Sequence, residues 1–206
     1  MKKFSFLVFC ILTFSVSHSQ IQVGAKAGYN LSTYYMSTGS NLYSYSSLSN
    51  FNGGIVVAVP LGVGFFAQLE SVYSGQGAHI NLAGGTSGEY TSQYLNFPIM
   101  LKFVSNRHVY LETGPQLGFL LGSQLKETGF PNANIKDETN THGWSWVFGL
   151  GVNLPKNFGL DIRYNVGLTE VPNSNSNAYN EASIKNNVFQ VGITYMIPNL
   201  FPADAN

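Results

Sequence analysis

WSWVFGLGVNLPKNFGLDIRYNVGL, Trp144 to Leu168, contains two runs of strict alternation that meet at Pro155-Lys156-Asn157. One parity carries Trp144, Trp146, Phe148, Leu150, Val152 and Leu154, then Phe158, Leu160, Ile162, Tyr164, Val166 and Leu168. The other carries Ser145, Val147, Gly149, Gly151 and Asn153, then Gly159, Asp161, Arg163, Asn165 and Gly167. Successive side chains of a strand point to opposite faces, so the stretch predicts a β-hairpin with one apolar face and one polar or small face. The fold then turns on which side of a closed sheet the apolar face covers.

Six further runs follow the same rule, near 21–31, 51–59, 65–75, 93–103, 109–121 and 187–197. Each has about ten residues, the length a tilted strand needs to cross a bilayer. The connections after the second, fourth and sixth runs are short: 60–64, 104–108 and 155–157. Those after the first, third, fifth and seventh are long and rich in Ser, Asn, Gly, Thr and Tyr: about 32–50, 76–92, 122–141 and 169–186. Long and short alternate strictly, which places all long connections at one end, as in outer-membrane barrels. The expectation is an all-β chain, an eight-stranded antiparallel up-and-down transmembrane β-barrel over 20–197.

Charge placement agrees with this reading. Lys26, Glu70, Lys102, Glu112, Asp161 and Arg163 all fall on the polar parity. A Lys or Arg facing lipid at mid-membrane costs about 2–4 kcal/mol, whereas three cations and three anions inside a narrow lumen can pair. Aromatics fall where membrane interfaces are expected. Phe65, Phe103, Phe158 and Tyr195 lie on the apolar parity beside the short turns, and Tyr29, Phe51, Tyr73, Trp144 and Trp146 lie on it toward the long connections. Ordinary core aromatics of a soluble sandwich, or a lipocalin-like barrel with the apolar parity inside, are the rival readings. Pro98 and Pro115 interrupt two runs and cannot donate to a ladder, so one shared bulge or bend is expected where they face each other.

Charged residues make up only 10 % of the 206 residues and the formal net charge is zero, which points to neither nucleic acid nor an acidic ligand. Lys2, Lys3, the apolar run Phe4–Val16 and the small residues Ser17-His18-Ser19 form a secretory leader over 1–19, with cleavage expected near Ser19-Gln20. The single cysteine, Cys10, lies inside that apolar run after Phe9, so the mature chain has no disulfide or thiol chemistry. Its removal takes two of the ten basic residues, leaving eight against ten acidic. No later segment offers 18 uninterrupted apolar residues, so a membrane-embedded mature chain must be a barrel. Residues 198–206 form a short tail expected in the periplasm.

The leader with Gln20 at the mature start, the first strand IQVGAKAGYNLS, the glycine spacing of GLGVNLP and the last strand VFQVGITYMI together resemble the small porin-like outer-membrane β-barrels common in Bacteroidota. The resemblance covers nearly the whole mature chain. It implies an outer-membrane barrel in contact with outer-membrane lipid and assembled by the outer-membrane insertion machinery, and it implies no single activity. Such barrels often end at an aromatic residue, and this chain ends at Asn206.

An eight-stranded barrel is just wide enough for side chains to fill. Phe66, Gln68, Tyr94, Met100, Tyr110, Gln116 and the six charges are expected to do so, which disfavours an open pore. No catalytic, cofactor or metal site is expected. His142 and Ser145 have opposite parity, which spoils a base–nucleophile pair. Histidines 79 and 108 stand alone, Asp137-Glu138 lack a further acidic ligand, and GAKAG and GLGVN are followed by no helix. Inward glycines more simply make room inside a narrow sheet. The long connections are the expected place of function, above all 33–50, where Tyr34, Tyr35, Tyr43 and Tyr45 are interleaved with Ser and Asn, a composition suited to surface recognition. The reading is an outer-membrane barrel with a structural or surface-interaction role and an unknown surface ligand. A narrow channel for small solutes is the first rival and a lipid-modifying enzyme the second.

Overall fold

Alternating side chains become alternating environments in the computed structural model, which describes residues 21–36, 43–82, 87–105, 108–127, 131–171 and 184–198. The strands are β1 (Gln22–Met36), β2 (Tyr43–Gly62), β3 (Phe65–Leu82), β4 (Ser87–Ser105), β5 (Val109–Glu127), β6 (Ala133–Asn134), β7 (His142–Asn153), β8 (Phe158–Glu170) and β9 (Ile184–Ile197). Eight of them form a closed ring, each antiparallel to its two ring neighbours. β9 pairs back to β1 from Val23↔Ile197 to Met36↔Ile184, and β4 pairs to β5, so the sheet closes into a barrel. The short β6 is an appendage that pairs with β5 alone, at Gln124↔Asn134 and Leu125↔Ala133.

The parity rule decides between the rival folds. Along β8, Asp161, Arg163 and Asn165 are buried, while Leu160, Ile162 and Tyr164 are exposed. The same inversion holds around the barrel. Lys26, Glu70, Glu112, Asn30, Asn52 and Gln190 are inside; Ile55, Leu69, Ile99, Leu111, Phe148 and Ile193 are outside. A lipocalin-like barrel or a sandwich would bury the apolar parity, because that burial is what stabilises a soluble sheet. The leader and residues 199–206 lie outside the described residues.

Lys156 and Asn157 close the β7–β8 hairpin with φ of 61° and 62°. Asn tolerates this left-handed region, and both residues take it where the chain reverses through Pro155-Lys156-Asn157. The amide of Leu154 donates to the carbonyl of Phe158 at 2.8 Å beneath the turn.

Three expectations are corrected. First, most of the long connections are strand. β3 and β4 remain paired from Phe65↔Phe103 to Asn81↔Ser87, and β5 continues to Glu127 against Gly88. Ser, Gly and Tyr in 76–92 read as loop because a sheet that has left the membrane needs no apolar face. Nine residues of β3 follow Tyr73, about 30 Å of chain at the ~3.3 Å rise of a strand. Second, Pro98 and Pro115 cause no bulge. The β4–β5 ladder skips from Pro98↔Gln116 to Leu101↔Thr113 in unchanged register, and the β3–β4 ladder skips from Leu69↔Ile99 to Val72↔Asn96. Each proline removes one donor, and the neighbouring pairs hold the register. The irregularities fall elsewhere, between Gln93 and Tyr94, Ser47 and Asn52, Pro60 and Gly62, and Val166 and Glu170. Third, β6 and a single 3-10 turn at Lys136–Glu138 lie within the span read as a plain loop.

Amide hydrogen exchange distinguishes a paired wall from a loop. Amides of 76–81 and 88–93 are expected to exchange at least tenfold more slowly than those of the Lys156 turn; exchange at turn-like rates would show that the hairpin is not formed.

Candidate functional site

The six inward charges come from five different strands, and five of them meet at mid-barrel. Arg163 is the hub. Its Nη1 and Nη2 donate to Glu70 Oε2 and Oε1 at 2.8 and 2.7 Å, and its Nε donates to Glu112 Oε1 at 2.5 Å. Lys26 Nζ donates to Asp161 Oδ1 at 2.6 Å, and Asp161 Oδ1 lies 3.4 Å from Arg163 Nε. Gln68 Nε2 donates to Glu70 Oε1 at 2.6 Å and approaches Glu112 Oε2 at 3.4 Å. Lys102 stands apart: its ammonium lies 3.6 Å from the centroid of the Tyr110 ring. A bidentate guanidinium–carboxylate pair holds both partners in one geometry. Arg163, two residues from Asp161 on the same face of β8, spans the lumen to β3 and β5.

Glycines make this layer possible. A Cβ on Gly149 would lie 2.6 Å from Glu112 Cγ and 2.7 Å from its Oε1. On Gly192 it would lie 2.9 Å from Lys26 Cε and 3.1 Å from Asp161 Oδ1. Gly149 and Gly192 are ladder partners of Arg163 and Asp161 respectively, so the ionic layer sits where the opposite strand has no side chain.

Toward the long-connection end, a polar layer follows. Asn30 Nδ2 donates to Ser74 Oγ at 2.9 Å and to the Gly75 carbonyl at 2.8 Å; its Oδ1 accepts from Asn52 Nδ2 at 2.6 Å and Gln190 Nε2 at 2.9 Å. Beside it a void of about 60 Å³ is lined by Gln76, Asn96, Gln116, Asn165 and Asn186. Both amide atoms of Asn165 lack a protein partner there, as does Asn186 Oδ1. Buried polar atoms facing a void of this size are ordinary hosts for ordered water. Above lies an apolar cap of Tyr34, Ala78, Val171 and Ile184, with Tyr90 packed edge-on to Tyr34 at 5.2 Å. The chain after the 3-10 turn is anchored under this cap: Thr139 Oγ1 and Tyr90 Oη are 2.6 Å apart, and Thr139 Oγ1 donates to the Ile135 carbonyl at 3.0 Å.

Toward the short-turn end lies a vestibule of about 400 Å³, which Phe66, Gln68, Lys102, Tyr110, Thr194 and Met196 help to line.

The aromatics on the apolar parity point outward. Phe65 and Phe103 pair across strands with centroids 4.8 Å apart, and Phe158 and Tyr195 pair at 5.0 Å beside the short turns. Phe51 and Tyr73 lie 6.0 Å apart, and Tyr29, Trp144 and Trp146 are exposed. Trp146 Nε1 donates to Thr113 Oγ1 at 2.9 Å. This second set lies part-way along the strands, which is why so much strand remains beyond it.

The four tyrosines read as loop residues are strand residues. Tyr34 and Tyr35 belong to β1, where Tyr34 is buried in the cap and Tyr35 is exposed; Tyr43 and Tyr45 belong to β2. The stretch 33–50 reads as solvated because tyrosines are interleaved there with Ser and Asn and no apolar alternation marks a strand. His142 Nδ1 lies beside Thr141 Oγ1 at 3.1 Å, whereas Ser145 Oγ accepts from Gln116 Nε2 at 3.0 Å, so the two do not meet. No group of three metal-ligating side chains occurs among the described residues.

A feature hidden from sequence is the divergence of β1 and β2. They pair only up to Ser32↔Leu48. Beyond that, β1 follows β9 and β2 follows β3 up to Tyr43↔Leu82. Among the described residues, the Tyr43–Ser47 segment of β2 therefore has a strand partner on one side only. It is the edge of a protruding sheet β2–β3–β4–β5–β6.

The sequence profile of the family described as "Outer membrane protein beta-barrel domain" matches residues 14–173. Among solved structures, Neisserial surface protein A superposes with a TM-score of 0.52 at 13 % identity, over 86 % of this chain and 97 % of that one. Ail, the attachment invasion locus protein of Yersinia pestis, superposes with a TM-score of 0.49 at 14 % identity, over 85 % and 98 %. OprG of Pseudomonas aeruginosa does so with 0.45 at 10 %, over 89 % and 97 %. No curated protein matches the chain in sequence.

Removing one member of a buried ion cluster strands the others. Arg163→Met is expected to destabilise the barrel by roughly 3–5 kcal/mol, because Glu70 and Glu112 are left buried without the guanidinium that holds them. Gly149→Ala is expected to cost about 1–3 kcal/mol by overpacking against Glu112. Urea unfolding in lipid vesicles, followed by tryptophan fluorescence, measures both; a loss below about 1 kcal/mol for Arg163→Met would mean that the cluster adds little to stability.

Proposed function

The chain belongs to the outer membrane protein beta-barrel domain family, and from that premise we propose that it is a non-enzymatic surface-interaction protein whose lumen does not conduct. The short turns then face the periplasm, and the long connections face outward. In this reading the leader Met1–Ser19 is removed on export, lipid covers the apolar band, and the outer-membrane insertion machinery assembles the barrel.

The observation that carries the proposal is the edge of β2 at Tyr43–Ser47, which among the described residues has a strand partner, β3, on one side only. An edge strand presents a row of free N–H and C=O groups, and natural edges are blunted with lysine, proline or a covering strand. The opposite margin of this sheet is covered by β6. The β2 edge carries neither lysine nor proline, only tyrosine and serine. An extended segment of a partner protein can add to such an edge by main-chain hydrogen bonds. The interior supports the same reading, since the ionic layer and the apolar cap each cross the lumen.

A narrow channel is the second reading, favoured by one observation: the lumen holds two voids, of about 400 and 60 Å³, toward its two ends. Planar-bilayer recording separates the two. The wild-type barrel is expected to give no conductance steps, and reproducible steps that grow in Arg163→Gln would establish the channel. For the surface role, strand-forming peptides selected on the folded protein from a displayed library are expected to lose binding in either Ser46→Pro or Ser47→Pro, whichever N–H points away from β3. Retained binding in both would exclude the β2 edge.

A further inference from the structure

We propose that the vestibule at the short-turn end is a binding pocket for a small amphiphilic carboxylate, with Lys102 as the group that receives its head. The pocket lies on the short-turn side of the ionic layer, with Gln68, which donates to Glu70, among its lining residues. Its volume of about 400 Å³ lies in the range of small-molecule sites. Phe66, Val104, Ala58 and Met196 supply apolar wall, and Thr194 supplies a hydroxyl.

Lys102 is the reason to name an anion. Each carboxylate near it already has a cation: Glu70 and Glu112 are held by Arg163, and Asp161 by Lys26. Among the described residues, Lys102 forms no ion pair, and its neighbour is the face of the Tyr110 ring. An ammonium has three donors and a cation–π contact satisfies none of them by a hydrogen bond. Its side chain lines the pocket, so the donors have only pocket contents to meet. Glu112 is its cross-strand neighbour and keeps the cation from standing wholly uncompensated. That proximity also weakens any anion bound beside it, so a readily exchanging solute suits the site better than a tightly held cofactor. The apolar walls select against hydrophilic anions, for which water is the better solvent.

Hexanoate, hexanol and hexylamine share one chain and differ in head group. With the full barrel in lipid nanodiscs and methyl-labelled methionine, hexanoate is expected to shift the Met196 resonance saturably, while Met36 at the other end of β1 moves only with bulk partitioning. Hexanol is expected to bind at least tenfold more weakly, and hexylamine not to compete. Lys102→Met, which keeps the stem and removes the charge, is expected to reduce hexanoate to the level of hexanol. Val104→Trp, which narrows the mouth without touching the ionic layer, is expected to abolish the saturable shift and serves if Lys102→Met does not fold. Unchanged hexanoate binding in Lys102→Met or in Val104→Trp, competition by hexylamine, or the lack of saturation in the wild type would overturn the proposal.

Discussion

Arg163 is the constraint on which the interior depends. Its guanidinium meets Glu70 from β3, across the lumen, and Glu112 from β5, two strands away around the wall, with all three side chains buried. A buried ion costs several kcal/mol unless it is paired and hydrogen-bonded, so no member of this layer can be chosen alone. Bidentate contact with Glu70 fixes the plane of the guanidinium, and the remaining Nε then points to Glu112. Asp161, two residues away on the same strand, is drawn to Lys26. The glycines obey the same constraint. Gly149 and Gly192 face Arg163 and Asp161 across the ladder, and any side chain at either would push a carboxylate or an ammonium off its partner. Charge and its absence of neighbours are one feature, spread over strands far apart in sequence.

This arrangement explains what could be read from residue order. Alternation at 144–168 puts Asp161 and Arg163 on the face opposite Leu160 and Ile162, and the structure has the same faces. Parity is a local property, and so are the number of alternating runs and the order of short and long connections. Partner choice is not local. Nothing in the residue order separates Lys102 from Lys26, yet one meets a carboxylate and the other an aromatic ring. Likewise, the end of a strand cannot be read from the end of its apolar alternation. Within lipid, a strand must show an apolar face; beyond the aromatic band it need not. Residues 76–92 thus have loop composition and strand pairing together. Bulges add to the difficulty, because the shift between Gln93 and Tyr94 leaves Leu120 and Ser123 both inside, three residues apart.

The prolines teach the converse. Pro98 and Pro115 break the local rule for a strand, and the register absorbs them without a shift. A closed barrel holds every strand from both sides, so two missing donors cannot move a strand that neighbours on either side keep in place. An open sheet has no such restraint at its margin, and the same chain shows this beyond Ser32↔Leu48, where β1 and β2 part.

The two ends of the molecule therefore answer to different requirements. At mid-barrel, closure forces charged groups from four strands into a small volume, where each meets an opposite charge. Below the ionic layer the lumen is open at the short-turn mouth, so Lys102 can be left with solvent and a ring instead of a carboxylate. Above it, the cap of Tyr34, Ala78, Val171 and Ile184, with Tyr90 packed against it, fills the lumen with apolar contacts. That cap stands at the level where β1 and β2 part, beyond Ser32↔Leu48, so side-chain packing holds the inside of the wall where the ladder between those two strands ends.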